Sequence, residues 1–534
     1  MLRLIGRIFL LGALLGMLGE LFSIELPTVR FPFSTSREIG FLHTDLTGGE
    51  VFPWFGWLLS LLFLSVGIFS EVSFLRGFSF TPITLRRIER FRSIKRGYYS
   101  LVLILALAGV ASLDHLLVGN EAILVKYEDN WHWPAFSREV EKGEVFGLQG
   151  DDGQSPPDYR ALQRMFEARQ DGGDWALLPL LPYAPTGDTI TAVSTPLKIS
   201  SGGEALVNGF PFSGLAAKVY DLEQPERMHL RYRFREGLKD GPADGWDEKR
   251  NRVYGALFEK GELVKESVSW NGEGELTAYL AKQSSELRQV HFPPSPPTFG
   301  KGQTHLLGTT SKGYDVLAYL FGGLQVNFKA ALVYIPLVYL LGISIGLLMG
   351  FFGGAFDLLV QRLIEILSNI PFLFVVMIAS TSIPEGLKES AGLWIIIGIL
   401  LLFGWMGMTY LMRTAALKEK ARDYIAASRV IGASTPRILF RHLLPNSVAI
   451  IVTLVPFSIS SLVLALTSLD YLGFGLPAKY ATWGQLLRDG LDNLSSPWLV
   501  TSAFLVLVGL LILITFVGEA VREAFDPKKF SYYR

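Results

Sequence analysis

The chain has 534 residues, of which 50% are hydrophobic and only 18% are charged. Soluble globular domains carry about 25% charged residues, so we expect lipid to form part of the environment of this protein. The 49 basic and 49 acidic side chains cancel, which argues against a protein that binds nucleic acid through bulk charge. The absence of cysteine from the sequence excludes disulfides and thiolate metal sites.

Apolar runs of the length that crosses a bilayer recur along the chain. A spanning helix needs about 20 apolar residues, and in lipid a helix satisfies its own backbone hydrogen bonds. The first run, 8–19, is read either as a signal peptide or as a span over 4–24; no small-x-small cleavage site follows it, which favours an uncleaved helix. Seven further runs predict spanning helices at 54–70, 98–113, 330–352, 366–384, 391–412, 447–469 and 498–518. We therefore expect an α-helical polytopic membrane protein with about eight transmembrane helices.

Lys and Arg residues near the ends of the runs predict the orientation of the chain. The stretches 86–96 and 413–441 and the tail after Glu519 are all basic, so we place them in the cytoplasm. Both termini are then cytoplasmic, and residues 119–304 form one extracytoplasmic inserted domain. Before it lie an additional N-terminal helix pair at 1–85 and a basic segment with the first core helix at 86–118; after it the membrane core occupies 305–534.

The extracytoplasmic block is predicted to be α+β or β-rich. Residues 228–234 alternate between apolar and polar side chains, which predicts a half-buried strand. A hairpin is expected around the turn at 259–261, and helices are expected at 158–170 and 276–288. No convergent acid, base and nucleophile stand out here, so we expect an interaction or lid domain.

The cytoplasmic stretch 415–446 predicts two short helices that meet at a fixed bend. Residues 415–431 are rich in strong helix formers, and Gly432 can adopt the left-handed conformation that ends a helix. Ser434, Thr435 and Pro436 then predict the start of a second helix, which we expect Pro445 to interrupt before the next span. Such a bend, with small side chains, suits the docking of a partner protein; an ordinary amphipathic loop lying on the membrane is the alternative.

The same stretch resembles the EAA loop of ABC-importer permeases, whose pattern is E-A-A, three residues, G, nine residues, I-x-L-P. The matching positions are Ala426, Ala427, Ser428, Gly432, His442, Leu444 and Pro445. The glycine, the second alanine and the Leu-Pro pair fit this pattern. Ala426 replaces the glutamate, Ser428 replaces the last alanine, and His442 replaces the isoleucine.

Further motifs resemble the dipeptide and oligopeptide permeases. Residues 305–323, HLLGTTSKGYDVLAYLFGG, are similar to their H-x-L-G-T-D-x-x-G-R-D motif, with Thr310 in place of Asp and Tyr314 in place of Arg. The ending of the chain and the stretch LVKYEDNWHWP resemble the microcin C-type permeases. The other stretches that continue the pattern, in the same order, are 342–371, 469–477, 483–487 and 518–528.

The resemblance covers residues 86–185 and 290–530, and it leaves out the N-terminal pair and an insert near 188–290. It implies a type I ABC-importer permease core in the cell inner membrane. The implied partners are ABC ATPase subunits that dock on the loop at 415–446, a second homologous permease, an extracytoplasmic solute-binding protein and the lipid bilayer. The sequence has no G-x-x-x-x-G-K-[ST] phosphate loop, so ATP and Mg are expected on the ATPase, and this chain is expected to be no enzyme and to hold no cofactor or metal.

Two features leave alternatives open. The small-xxx-small spacing of Gly342, Gly346 and Gly350 predicts close helix packing, either between two permeases or within this chain. An ion-coupled secondary transporter would also span the membrane, but such carriers place ionisable residues deep in the bilayer, and the centres of the long apolar runs contain none. A membrane-anchored scaffold with an external binding domain would have no need of the cytoplasmic bend. The residues that line the substrate pathway cannot be assigned from the sequence.

Overall fold

A computed structural model describes most of the chain, and its contacts divide the chain into two compact units. The first unit comprises Met1–Thr186, Ala318–Arg488 and Thr501–Arg534, and the second comprises Gly187–Leu317 and Asp489–Val500. The predicted helix at 276–288 and the basic tail after Asp526 lie largely outside the described residues. The residues that the structure describes are 2–22, 43–44, 50–51, 54–75, 82–113, 116–137, 141–148, 156–168, 173–186, 197–200, 204–207, 210–212, 214–219, 228–246, 252–268, 280, 287–290, 294–298 and 305–526.

Long apolar helices dominate the first unit. In chain order the described helices are α1 (Leu2–Phe22), α2 (Trp54–Leu75), α3 (Pro82–Ser93), α4 (Lys95–Ser112), α5 (Tyr159–Ala168), α6 (Val316–Phe352), α7 (Gly354–Ser368), α8 (Phe372–Ser382), α9 (Glu385–Lys420), α10 (Asp423–Val430), α11 (Thr435–Ile438), α12 (Leu444–Leu472), α13 (Trp483–Asp492) and α14 (Pro497–Phe525).

Within the described residues, four helical stretches are long and apolar enough to cross a membrane. They are Val316–Phe352, Gly392–Lys420, Thr435–Leu472 and Pro497–Phe525. Two bent pairs, α3 with α4 and α7 with α8, raise the number to six if each pair is one span. Helices α1 and α2 have shorter apolar stretches, so the count of eight spans remains a prediction.

The span predicted at 366–384 is not one straight helix. Helix α7 ends at Ser368 and α8 begins at Phe372, with a 74° bend between them. Pro371, which stands at the N-terminal cap of α8, has no N–H and disfavours helical geometry at Ile370, so the helix breaks there.

Helices α1 and α2 pack against each other through small residues. A Cβ atom added at Gly16 would lie 2.4 Å from the hydroxyl of Ser60, and one added at Gly6 would lie 3.0 Å from Ser70. Such small residues let two helix backbones approach closely. The N-terminal pair expected at 1–85 is thus a helical pair, and most of those of its large apolar side chains that the structure describes are exposed.

A small three-stranded sheet also belongs to the first unit. Strands β3 (Leu124–Tyr127), β4 (Asn130–His132) and β5 (Trp175–Leu177) pair in the order β4-β3-β5; the pair β1 (His43–Thr44) and β2 (Glu50–Val51) precedes them. Helix α5 confirms the helix predicted at 158–170, and its Leu162 and Phe166 are buried in the cluster that includes Val125 and Phe146.

A larger antiparallel sheet organises the second unit. Its order is β14-β13-β12-β10-β9-β15, with β11 paired to β10, and a separate sheet has the order β6-β7-β8. The bounds of these strands are β6 (Lys198–Ile199), β7 (Ala205–Val207), β8 (Phe210–Pro211), β9 (Gly214–Val219), β10 (Met228–Arg235), β11 (Leu238–Lys239), β12 (Gly241–Trp246), β13 (Arg252–Glu259), β14 (Glu262–Val268) and β15 (Arg288–Val290).

The strand predicted at 228–234 is confirmed by β10, whose Leu230, Tyr232 and Phe234 are buried in the core of this sheet. The predicted hairpin is confirmed by β13 and β14, whose turn residues Lys260 and Gly261 both have positive φ, at 47° and 91°. Two positive φ angles match the twist of paired strands.

A buried His–Asp pair organises the start of the motif at 305–323. Nδ1 of His305 lies 2.7 Å from Oδ2 of Asp315, and neither side chain is exposed. Nearby, the indole N–H of Trp498 donates to the carbonyl of Thr309. These residues all lie in the second unit, and Asp315 immediately precedes α6.

Candidate functional site

The candidate site is the bend formed by residues 415–446, between α9 and α12. The prediction of one continuous helix over 415–431 is wrong, because α9 ends at Lys420 and α10 begins at Asp423. Arg422, between the two helices, has an extended backbone with a ψ of 146°. The bend therefore contains one more break than the sequence predicted.

Glu419 holds this first break in place. It is almost fully buried; one of its oxygens lies 3.1 Å from Nε of Arg422, and the other accepts a hydrogen bond from the hydroxyl of Tyr424 at 2.6 Å. The amide of Asn446, on α12, donates to the same hydroxyl at 2.7 Å. Burial, and secondly the hydrogen bond to Glu419, raise the pKa of Tyr424. Sequence reasoning missed Glu419, Tyr424 and Asn446, because nothing local in the sequence shows that Glu419 and Asn446 both bond to Tyr424.

Gly432 ends α10 in the way that the sequence predicted. Its φ is +83°, its N–H donates to the carbonyl of Arg429 at 2.9 Å, and the N–H of Ala433 donates to Ser428 at 3.0 Å. These two bonds form the Schellman motif, which satisfies the last carbonyls of a helix. An added Cβ at Gly432 would meet nothing within 4 Å, so the constraint at this position is one of backbone conformation.

The second helix does not stop at Pro445, which corrects the sequence prediction. The helical stretch runs from Thr435 to Leu472, and residues Leu439–Leu443 form one π-helical turn. In this turn the N–H of Leu444 bonds to the carbonyl of Leu439, five residues back. A wider π turn leaves room for a proline that lacks an N–H, so the helix continues. Ser434 has the extended backbone of a cap, but its side chain makes no capping hydrogen bond.

Buried apolar side chains fix the bend to the membrane core. Ile425 on α10, Ile438 on α11 and Leu443 in the π turn are at most 2% exposed. They belong to one cluster with residues of α6 and α9, among them Leu347 and Met412. The bend is therefore expected to move with these two long helices.

The outer side of the bend is apolar and exposed. Val430 and Ile431 are 88% and 86% exposed, and Phe440 is 67% exposed. We call Val430, Ile431 and Phe440 the exposed apolar patch. Single exposed apolar residues are ordinary in a protein, whereas several on one bend make the bend a candidate interaction site.

The structure places the seven sequence-predicted residues on both arms of the bend. Ala426, Ala427 and Gly432 are exposed, and Ser428 is half-buried, with its hydroxyl bonded to the carbonyl of Tyr424. On the second arm, His442 and Leu444 are half-buried and Pro445 is exposed. The ring of His442 lies 6.1 Å from that of Tyr424, and Leu444 packs against the buried cluster.

The glycine ladder on α6 packs within this chain. Added Cβ atoms would lie 2.6 Å from Met408 at Gly342, 2.5 Å from the carbonyl of Thr409 at Gly346, and 2.5 Å from Ala416 at Gly350. All three neighbours are on α9. Of the two alternatives that the sequence left open, the contacts support packing within the chain, and they lock α6 to the helix that leads into the bend.

A bidentate ion pair joins α7 to α9 near the bend. Nε and Nη2 of Arg413 lie 2.5 and 2.6 Å from the two carboxylate oxygens of Asp357, which is buried. Paired N–H groups that meet both oxygens fix orientation as well as distance. Helices α6, α7 and α9 are therefore tied together at the end from which the bend protrudes.

An open cavity of about 870 Å³ adjoins the bend. Glu419 and Asn446 line it, together with residues from α4 and α14. Its lining is mixed in charge: the charged members are Arg96, Lys418, Glu419, Glu519, Arg522, Glu523 and Asp526.

Comparison with known proteins identifies the family. The family model described as "Binding-protein-dependent transport system inner membrane component" matches residues 342–531. The chain is 39% identical to the peptidoglycan transport system permease protein YejE of Agrobacterium fabrum, over 43% of this chain and 58% of that protein. It is 39% identical to the inner membrane ABC transporter permease protein YejE of Escherichia coli, over 44% of this chain and 66% of that protein. The chain thus spans less than two thirds of the length of these two relatives.

A third relative is covered more fully. The chain is 30% identical to the dipeptide transport system permease protein DppC of Lactococcus lactis subsp. cremoris, over 54% of this chain and 79% of that protein. A chain of the MetNI methionine ABC transporter, in an inward-facing structure, aligns at 21% identity and a TM-score of 0.34 over 39% of this chain and 96% of that chain, a likeness too low to support an argument. On the sequence matches, the chain belongs to the family of binding-protein-dependent transport system inner membrane components.

Proposed function

We propose that this chain is the permease subunit of an ATP-driven ABC importer for peptides or peptide-like solutes. Three relatives are named for dipeptide, peptidoglycan or ABC transport, which supports this class of substrate and energy source. The chain would lie in the cell inner membrane with about eight spans and both termini in the cytoplasm. The sheet-rich residues between α4 and α6 would form the extracytoplasmic insert.

The observation that carries the proposal is an exposed apolar patch on a bend that is rigidly anchored. Val430 and Ile431 offer apolar surface to a partner, while Ile425 on α10 is fully buried in the cluster shared with α6 and α9. A partner that binds the patch can therefore move the core without deforming the bend. An ABC ATPase subunit is the partner that the family provides for this position.

The contacts inside the chain suggest how the motion would travel. ATP and Mg would bind on the ATPase, and ATP binding must favour one state of the permease over the other. The force would enter at α10, pass to α9 through the buried cluster, and reach α6 and α7 through the glycine ladder and the Arg413–Asp357 pair. A second homologous permease would complete the pathway, and an extracytoplasmic solute-binding protein would deliver the substrate.

Asp470 is a carboxylate of the kind that an ion-coupled transporter would use, because it is only 3% exposed in α12. Its Oδ1 accepts the backbone N–H of Leu476 at 2.6 Å, and a Cβ at Gly475 would lie 1.8 Å from that oxygen. The hydrogen bond from Leu476 to this carboxylate fixes the loop that follows α12. The contacts of Asp470 favour a structural role over ion coupling, and a membrane-anchored scaffold would have no use for the anchored bend.

The test is retention of the ATPase by the purified chain. In the Val430→Ser/Ile431→Ser protein, two exposed apolar side chains are lost, and burial of each is worth about 1.5–3 kcal/mol, so we expect at least a tenfold weaker hold on the ATPase. Leu180→Ser is the matched control, because Leu180 is 85% exposed and lies in the predicted extracytoplasmic part. Equal retention by both proteins would contradict the proposal.

A further inference from the structure

Helix α3 is a short basic helix that turns sharply away from the first core span. It has 12 residues, and a 90° bend separates it from α4. The bend falls at Ile94, whose ψ of 83° is not helical. If α4 crosses the bilayer, α3 runs along the plane of the membrane.

Contacts with the end of α14 fix one side of α3. The guanidinium carbon of Arg87 lies 4.8 Å from the centre of the Phe525 ring, and Nη2 of Arg90 lies 3.9 Å from a carboxylate oxygen of Glu523. At the start of α4, Nη2 of Arg96 lies 3.4 Å from Glu519.

The position of α3 along α14 indicates how deep α3 lies in the membrane. Residues 497–518 are uncharged, so Glu519 marks the edge of the hydrocarbon. Glu523 is one helical turn further, which is about 6 Å at 1.5 Å per residue. The headgroup layer is roughly 5–7 Å thick on each side of the bilayer, so contact with Glu523 places α3 within that layer.

The side chains of α3 suit this depth. Leu85, Ile88 and Phe91 follow one another at intervals of three residues and share a face of the helix; Leu85 is 46% exposed and the other two are half-buried. Basic residues Arg86 and Arg92 are exposed around this face. The stretch 86–96 holds six basic residues and one acidic residue, and exposed Lys95 is among the basic ones.

We propose that α3 is an interfacial helix whose exposed arginines, together with Lys95 at the start of α4, bind the anionic phospholipid headgroups of the cytoplasmic leaflet. Its apolar face would enter the boundary between headgroups and acyl chains, as amphipathic helices do. Basic clusters beside a spanning helix attract anionic lipid by about 1 kcal/mol per Lys or Arg. The inference rests on the cytoplasmic orientation under the proposed function, and it adds a lipid site where α3, α4 and α14 meet.

The depth of α3 can be measured directly, because the chain contains no cysteine. Spin labels on Leu85→Cys and Ser434→Cys are compared in nanodiscs that contain phosphatidylglycerol. We expect the label at Leu85 to collide with oxygen in the lipid and to be shielded from a water-soluble nickel chelate, and the exposed position at Ser434 to behave in the opposite way. The proposal would be overturned if the label at position 85 collided with the nickel chelate as often as the label at position 434. It would also be overturned if protein shielded the label at position 85 from both oxygen and the chelate.

The charge dependence is tested with the Arg86→Gln/Arg92→Gln/Lys95→Gln protein. The matched control, Arg233→Gln/Arg235→Gln/Lys265→Gln, removes the same charge from exposed positions of the large sheet. Phosphatidylglycerol that stays bound after purification is counted by native mass spectrometry. We expect its preference over phosphatidylcholine to fall about tenfold or more in the α3 variant only.

An equal preference in the two variants would overturn the lipid site. ATPase retention is measured on the same preparations, and it should be unchanged in both. If the unsubstituted chain does not retain the ATPase, the proposed function is contradicted. The lipid site is judged separately, from the phospholipids counted by native mass spectrometry.

Discussion

Replacing Gly432 tests whether the geometry of the bend matters for coupling. Its φ of +83° lies in the left-handed region, which costs a residue with a Cβ roughly 1–2 kcal/mol. A difference of that size changes a population by a factor of about 5–30. A β-branched residue fits this region worst of all, so Gly432→Val should shift most molecules away from the Schellman turn.

Clash with the rest of the protein does not contribute to this effect, because no atom beyond the glycine and its two chain neighbours lies within 4 Å of the Cβ position. Membrane insertion should therefore be normal in the Gly432→Val protein. Gly432→Asn is the conservative control, since asparagine tolerates the left-handed conformation. Gly407→Val adds the same side chain to open space on α9, and it should leave the bend intact.

The assay is ATP-driven uptake of a labelled peptide by proteoliposomes that contain the complete transporter. We expect uptake to fall at least fivefold with Gly432→Val and to stay near the normal rate with Gly432→Asn and Gly407→Val. Normal uptake by the Gly432→Val protein would refute the reasoning that this turn positions the docking surface. A defect of equal size with Gly432→Asn would show that the backbone conformation is not the cause.

Three further substitutions test how the bend is joined to the core. Gly346→Val should lower stability by about 1–3 kcal/mol through overpacking, seen as a lower unfolding temperature in detergent, whereas Gly398→Val, in open space, should be nearly neutral. Ile425→Ala should cost about 2–5 kcal/mol of packing and expose α10 to proteolysis. Arg413→Gln should cost about 3–5 kcal/mol, because it leaves the buried carboxylate of Asp357 without its partner, and Asp357→Asn added to it should recover part of the stability.

Each of these expectations has an opposite outcome. Equal unfolding temperatures for the two glycine variants would mean that the ladder is not tightly packed. Unchanged proteolysis after Ile425→Ala would separate α10 from the core cluster. A double variant at Asp357 and Arg413 less stable than Arg413→Gln alone would show that the ion pair is not what the arginine contributes.

Local signals in the sequence predicted much of the structure. Gly432 was assigned correctly, because a glycine after a helix-forming run has a specific backbone role. The hairpin at 259–261 and the helix at 158–170 were also assigned correctly, from turn residues and from periodicity. In each case the information lies within a few residues of the element.

The misses depend on contacts distant in sequence, or on helix variants that proline allows. At the break before α10, the hydroxyl of Tyr424 bonds both to Glu419 and to Asn446, which comes 22 residues after Tyr424. At Pro445 the helix continues after a π turn, whereas at Pro371 the helical stretch bends by 74°. Proline alone does not distinguish these two results, because the surrounding packing decides which is stable.

The glycine ladder shows the same limit. The spacing of Gly342, Gly346 and Gly350 indicates that something packs closely, but a glycine has no side chain that identifies its neighbour. Only the structure shows Met408, Thr409 and Ala416 opposite them. The exposed apolar patch was missed for a related reason, because Val430 and Ile431 look like core residues until their burial is known.

The most direct measurement is a crosslink from Ala427→Cys, an exposed position on α10 in a chain that has no other cysteine. A thiol-reactive crosslinker applied to inverted inner-membrane vesicles should join this residue to the ATPase subunit, and ATP should change the yield. If the cysteine instead reacts with an impermeant thiol reagent added outside intact cells, the bend faces away from the nucleotide and the account is contradicted.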